Sequence, residues 1–109
     1  MWNLITEDGA NISMIEGDYG IVLPIVVDGI QIDPSDSIKF TVKDGRNGTE
    51  IFNKDFTGIT DNVIPLSLTS TESGYLSAGK YVYNLDWYQN STFLCNIVNC
   101  AMLKVVDKA

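Results

Sequence analysis

Two acidic clusters, Asp33-Pro34-Ser35-Asp36 and Asp44-Gly45-Arg46-Asn47-Gly48, are the densest groups in this sequence that could do chemistry. Paired carboxylates can act as acid and base on a glycosidic bond, or gather oxygen ligands around calcium. Neither cluster has the spacing of an EF-hand loop, and both fall where Pro, Gly, Asn and Ser call for a chain reversal. Turn chemistry is the expected role of both. The chain has no histidine among its 109 residues, which removes Ser/His and Cys/His activation, imidazole metal ligands and the commonest acid–base group. An enzyme is not expected, and no catalytic, cofactor-binding or metal-ligating residue is assigned.

Cys95 and Cys100 remain as possible ligands or a disulfide pair. They sit in a segment that reads as strand, where a separation of five puts them on opposite faces and about 16 Å apart. A disulfide needs Cα atoms within roughly 7 Å. Free thiols are expected, as suits a reducing compartment. Trp87 and Tyr88 raise the question of a sugar platform, but Trp87 shares a strand face with Tyr81, Tyr83 and Leu85, which makes core packing its expected role.

Charge narrows the partners. Asp and Glu total 14 against 7 Lys and Arg, a net charge of -7, so clustered cations able to release the counterions of a nucleic acid or an anionic membrane are not expected. Charged residues make up 19% of the chain, below the usual 25% or about that, which hints at surface meant for burial against other subunits. The amino terminus lacks the basic and apolar regions of a secretory signal. The longest apolar run, Ile21 to Val27, is far short of the ~20 residues of a membrane helix. Synthesis in the cytoplasm without export is the expectation. The three Asn-x-Ser/Thr sites, at Asn11, Asn47 and Asn90, then read as turn vocabulary.

The elements that must position these residues are strands. No window repeats apolar residues at helical spacing, whereas alternating runs separated by Gly, Asp and Asn recur about every eight to twelve residues, the signature of a sandwich or barrel. Ile38, Phe40 and Val42 share one face of a strand, and Lys39, Thr41 and Lys43 share the other, expected to meet water. Tyr81, Tyr83, Leu85 and Trp87 alternate along a second, central strand. Asp8-Gly9, Asp28-Gly29, Asp44-Gly45, Asn47-Gly48, Asp61-Asn62 and Gln89-Asn90-Ser91 mark the reversals, the Asx-Gly pairs by tolerating positive φ. Thr92–Val106 is too long for one ordinary strand, and a β-bulge near Asn99-Cys100 would rephase it and spare Asn99 an inward position. Thr69-x-x-Glu72 matches a capping box, with Gly74 as the stop, for one helical turn crossing between sheets. The expectation is a single domain over residues 1–109: an amino-terminal hairpin in 1–16 and a core over 17–109. Its class is an immunoglobulin-like antiparallel β-sandwich of about seven to nine strands with one short helical turn.

Two features go beyond the scaffold. Leu76-Ser77-Ala78-Gly79-Lys80-Tyr81 matches a tyrosine corner, in which Tyr81 bonds back to the preceding loop. On Ile21–Val27 the odd positions are apolar, but so are Val22, Pro24 and Val26. A two-layer sandwich cannot cover both faces of such a strand, so Val22, Pro24 and Val26 are the candidate interface with another subunit. Pro24, lacking a donor, belongs on an edge.

Five segments in order, Gly17-Asp18-Tyr19-Gly20, Asp36–Lys43, Val63–Thr69, Gly79-Lys80-Tyr81-Val82-Tyr83 and Leu103-Lys104-Val105-Val106, resemble small structural domains of tailed phages and prophages. The set is most similar to the amino-terminal domain of the upper baseplate protein family from phages of Gram-positive bacteria, over residues 16 to 107 or so. That resemblance implies an immunoglobulin-like assembly module of a virion tail or baseplate, without catalysis. Its implied partners are protein subunits, either further copies in a homo-oligomer or other virion proteins. The alternative is a carbohydrate-binding or adhesion module of a bacterial surface protein, which exposed Trp87 and Tyr88 side by side would favour.

Overall fold

In the computed structural model, residues 3–5, 11–20, 22–27, 29–45 and 47–107 are described; Trp2, Asp8-Gly9, Ile21, Asp28 and Arg46 lie outside them. The elements run β1 (Asn3–Ile5), β2 (Asn11–Ile15), β3 (Leu23–Val26), β4 (Ser37–Lys43), β5 (Glu50–Thr57), β6 (Val63–Leu66), α1 (Ser70–Gly74), β7 (Gly79–Gln89) and β8 (Thr92–Val106). Six strands form one sheet in the order β1-β2-β8-β7-β4-β5, and β3 pairs with β6 in a second. The chain is an all-β sandwich with one short helix. The six-stranded sheet and the β3-β6 pair are the two layers of the sandwich.

Alternation explains the layers. Ile38, Phe40 and Val42 on β4 and Tyr83 and Leu85 on β7 are fully buried on the inner face. Across from them the small sheet contributes Ile25, Ile64 and Leu66. The Phe40 ring lies at the centre, with Tyr83 at 5.6 Å, Phe52 at 6.0 Å and Phe56 at 6.5 Å between ring centroids. Thr41, expected to face water, is only 6% exposed. It lies in the middle of the sheet, opposite Asn53 on one side and Asn84 on the other.

The amino terminus is more deeply built in than a separate hairpin. β1 and β2 pair antiparallel, and β2 also runs parallel to β8 from Ile12 against Leu103 to Ile15 against Val106. No hairpin joins β2 to β8, so nothing in the local sequence dictates their direction. Ile12 and Met14 enter the core at 0% and 1% exposure. Asn11, one of the residues read as turn vocabulary, instead opens β2, and its Oδ1 accepts the Met102 N–H at 2.9 Å.

The long final strand is rephased at three places. Tyr83 pairs with Ala101 and Leu85 with Val98, so Asn99 and Cys100 together oppose Asn84. Cys100 adopts a φ of 53° and donates its N–H to Asn84 Oδ1 at 2.6 Å. Asn99 is thereby exposed, while Val98 and Ala101 both pack on the core. The β7–β8 turn uses Asn90 and Ser91 at φ 51° and 65°, the left-handed pair that a tight hairpin turn needs. Gly48 departs from its expected role: its φ is not positive, and a Cβ there would overlap the Asp44 carbonyl oxygen.

Loops complete the core, because two strands are too narrow to cover six. Ile32, Ile59, Leu68 and Leu76 are each buried to 2% exposure or less from outside the strands. Polar anchors hold these loops. Asn62, at φ 55°, donates through Nδ2 to the carbonyls of Val27 (3.2 Å) and Ile30 (2.5 Å) and accepts the Ile32 N–H at 2.9 Å. At α1 the capping box is formed, with Glu72 N–H donating to Thr69 Oγ1 at 3.2 Å and Thr69 N–H to Glu72 Oε1 at 2.9 Å. Gly74 ends the helix without a left-handed φ, and Tyr75 caps it by donating to the Glu72 carbonyl at 3.1 Å. Lys54 points inward from β5, and its Nζ reaches Glu72 Oε1 at 2.8 Å and the Ser67 carbonyl at 3.1 Å. Strand β5 is a sheet edge, where an inward charge discourages pairing with stray strands.

Replacing Asn62 with Ala should destabilise the fold by about 2–4 kcal/mol in urea denaturation, since three partly buried hydrogen bonds and a tolerated left-handed φ are lost together. Asn62→Gly should recover about 1 kcal/mol of that, the share belonging to backbone conformation. Burial works to raise the Glu72 carboxyl, but hydrogen bonds from Lys54 and Thr69 and the Lys54 charge outweigh it and hold the group below its ordinary value of 4.5. A depressed carboxyl stabilises the fold above that value and ceases to do so as pH falls beneath it. The stability difference between wild type and Glu72→Gln should therefore be constant near neutrality and close below pH 4.5 in urea denaturation at stepped pH.

Candidate functional site

The two-stranded sheet buries one face only. Leu23, Ile25 and Val27 turn toward the core, which leaves Val22 and Val26 pointing out at 54% and 65% exposure, with Pro24 exposed between them. Strand β6 completes this outer layer. Pro24 lies opposite Pro65 and Val26 opposite Val63, so Val22, Pro24, Val26, Val63 and Pro65 form one uncharged apolar face. Val63 and Pro65 were not singled out from sequence. The signal was present in Val63-Ile64-Pro65-Leu66, which is apolar at odd and even positions just as Ile21–Val27 is.

The facing prolines decide how this layer can be used. Neither can donate, so the Pro24–Pro65 pair exchanges no backbone hydrogen bonds, and its backbone groups point outward to the two edges of the sheet. Each edge thus lacks a donor where an added strand would seek one. The sheet is available through its face and blunted at its edges.

The other sequence candidates are spread through the scaffold. Tyr81 donates its hydroxyl proton to the Ser77 carbonyl at 2.8 Å, the geometry of a tyrosine corner, and ties the crossover loop to the start of β7. Trp87 and Tyr88 lie on opposite faces of β7. Trp87 packs on the core, and its Nε1–H donates to Asp36 Oδ2 at 2.9 Å. Tyr88 faces outward, against Phe93 with 5.7 Å between centroids.

The acidic clusters work as turn and latch. Asp33 Oδ1 accepts the Ser35 N–H at 2.9 Å and the Ser35 hydroxyl at 2.8 Å, and these bonds, the backbone one first, hold the Asp33 carboxyl below its ordinary value. Asp36 is 1% exposed and accepts the Asp33 N–H at 3.0 Å through the same oxygen that holds Trp87. The start of β4 is thereby fastened to the end of β7. In the second cluster, Asp44 N–H donates to the Thr49 carbonyl and Gly48 N–H to the Gly45 carbonyl, each at 3.0 Å. Among the described residues no group of three or more His, Cys, Asp and Glu is placed to hold a metal ion. Cys95 and Cys100 are half-buried free thiols. Among the described residues no helix is long and apolar enough to cross a membrane.

Fold and face together define an all-β sandwich with one uncovered apolar layer. Comparison with family models, curated proteins and solved structures finds no match for the chain. Removing only the corner hydroxyl, Tyr81→Phe, should cost about 1 kcal/mol of stability in urea denaturation and leave the sheet spectrum by circular dichroism unaltered.

Proposed function

We propose that this chain is a non-catalytic assembly module that docks another protein subunit through the outer face of its β3–β6 sheet. The observation that carries the reading is the pair Val22 and Val26, more than half exposed, in an uncharged layer whose edges are blunted by Pro24 and Pro65. Burying apolar surface supplies the driving force, at roughly 25 cal/mol per Å2 removed from water. An edge donor missing from each strand, at Pro24 and Pro65, discourages edge growth and favours closed face-to-face contact. A second copy of the same chain is the simplest partner, since a twofold pairing needs one self-complementary patch.

A virion tail or baseplate of a phage or prophage is the setting proposed for this module. That setting is supported by the order of the five motif segments. Of these, Ile38–Lys43, Val63–Leu66, Gly79–Tyr83 and Leu103–Val106 fall on β4, β6, β7 and β8. The alternative, a carbohydrate-binding or adhesion module of a bacterial surface protein, calls for Trp87 and Tyr88 side by side, whereas the two side chains point to opposite faces of β7.

Sedimentation equilibrium over a concentration series should show self-association of the wild type. Val22→Lys combined with Val26→Lys should abolish it, with an unchanged melting temperature. A wild type that stays monomeric at the highest concentrations, with both lysines tolerated without effect, would sink the proposal.

A further inference from the structure

Asn47-Gly48 is the one Asn-Gly step in the sequence, and it lies in the turn between β4 and β5. Both residues are exposed, and the Asn47 side chain has no hydrogen-bond partner among the described residues. Other asparagines are committed. Asn11 and Asn84 accept the backbone N–H groups of Met102 and Cys100, Asn62 holds the loop that follows β3, Asn96 donates to Asp86, and Asn53 donates to Glu50. Each of these five also precedes a bulky residue, whose side chain crowds the backbone nitrogen next to the amide. Asn90 and Asn99 have free side chains, but Ser91 and Cys100 follow them.

The turn dictates the glycine and not the asparagine. A Cβ at Gly48 would overlap the Asp44 carbonyl oxygen, so only glycine fits there. Asn47 has no left-handed φ that would call for its side chain. With no Cβ on Gly48, the Asn47 side chain can approach the Gly48 nitrogen closely. The Gly48 N–H is held by the Gly45 carbonyl at 3.0 Å, a single bond in an exposed turn. Local opening of that turn frees the nitrogen.

We infer that Asn47 is a site of intramolecular covalent modification, with water as the co-reactant. In the opened turn the Gly48 nitrogen gives its proton to hydroxide and bonds the Asn47 side-chain carbonyl carbon. The bond from that carbon to Nδ2 breaks, and Nδ2 takes a proton from water and leaves as ammonia, which closes a five-membered imide. Water then opens the imide. Attack at the side-chain carbonyl leaves aspartate, and attack at the main-chain carbonyl leaves an isoaspartyl link that routes the main chain through the former side chain. Either product adds a negative charge between Asp44 and Glu50, in a chain whose net charge is already -7. The isoaspartyl product also inserts a methylene into the turn that the Asp44 N–H and the Thr49 carbonyl close at 3.0 Å. The site belongs to the large sheet, so it stands or falls separately from docking through Val22, Pro24 and Val26.

The test is to age the purified full chain at mildly acid and mildly alkaline pH, digest samples over time, and locate mass gains and isoaspartyl links by fragmentation mass spectrometry. Asn47 should be the first asparagine to gain one dalton, faster at the alkaline pH, with aspartyl and isoaspartyl forms both present. The same chain in guanidinium chloride should convert at Asn47 roughly five- to tenfold faster, the factor that one hydrogen bond of ordinary net strength holds back. Asn47→Ser should keep the melting temperature and remove the early mass gain. The inference is overturned if another asparagine converts first, if Asn47 yields aspartate with no isoaspartate, or if it is intact in the folded chain once the denatured chain has fully converted.

Discussion

The structure turns on covering the inner face of a six-stranded sheet with a layer of only two strands. Phe40 sits at the middle of that face, in contact with the rings of Tyr83, Phe52 and Phe56, and Ile25, Ile64 and Leu66 close over it. The two strands cannot reach the margins of the larger sheet. Ile32, Ile59, Leu68 and Leu76 fill those margins from loops and crossovers. Loops have no ladder of their own, so each must be held by a polar anchor strong enough to keep its apolar residue inside. Asn62, the Thr69–Glu72 capping box, the Asp36–Trp87 contact and the Tyr81–Ser77 bond are those anchors.

The same mismatch explains where the surface is unusual. A narrow layer that spends one face on the core has nothing among the described residues to shield the other, and β3 and β6 carry apolar side chains on both. The protein leaves Val22 and Val26 in water and guards the strands by other means. Proline removes one edge donor from each strand of the small sheet, and Lys54 turns an inward charge along the edge strand β5. Acidic residues outnumber basic ones two to one, which keeps such surfaces apart through net repulsion. On the far side, the register of β4, β5 and β7 juxtaposes Ser37, Lys39, Asp55 and Tyr88.

Much of the fold was legible in the sequence because its signals are local. Alternation placed Ile38, Phe40 and Val42 inward, Thr69 and Glu72 announced the helical turn, and the surplus length of Thr92–Val106 pointed to the bulge at Asn99-Cys100. The direction of β2 against β8 was not legible, since strands far apart in sequence pair by sheet closure and carry no turn to read. Asn62 illustrates the same limit. Its left-handed φ belongs to a recognisable Asp61-Asn62 reversal, but its bonds to Val27, Ile30 and Ile32 span about thirty residues and leave no trace in any local pattern. The candidate face was half legible: Val22, Pro24 and Val26 stood out, while Val63 and Pro65 joined them only through register.

Period-two patterning, turn residues and a doubly apolar strand are properties of short segments, and from these the sequence alone determined an all-β sandwich with an exposed apolar face. Register and layer assignment are properties of distant segments brought together. Only the tertiary structure decided that Pro24 meets Pro65, that Trp87 and Tyr88 part to opposite faces, and that Lys39 and Asp55 share a cleft with Tyr88. The physical reason is that a one-residue slip in pairing turns every side chain of a strand over, so the surface composition of a sandwich is set by closure of the whole core.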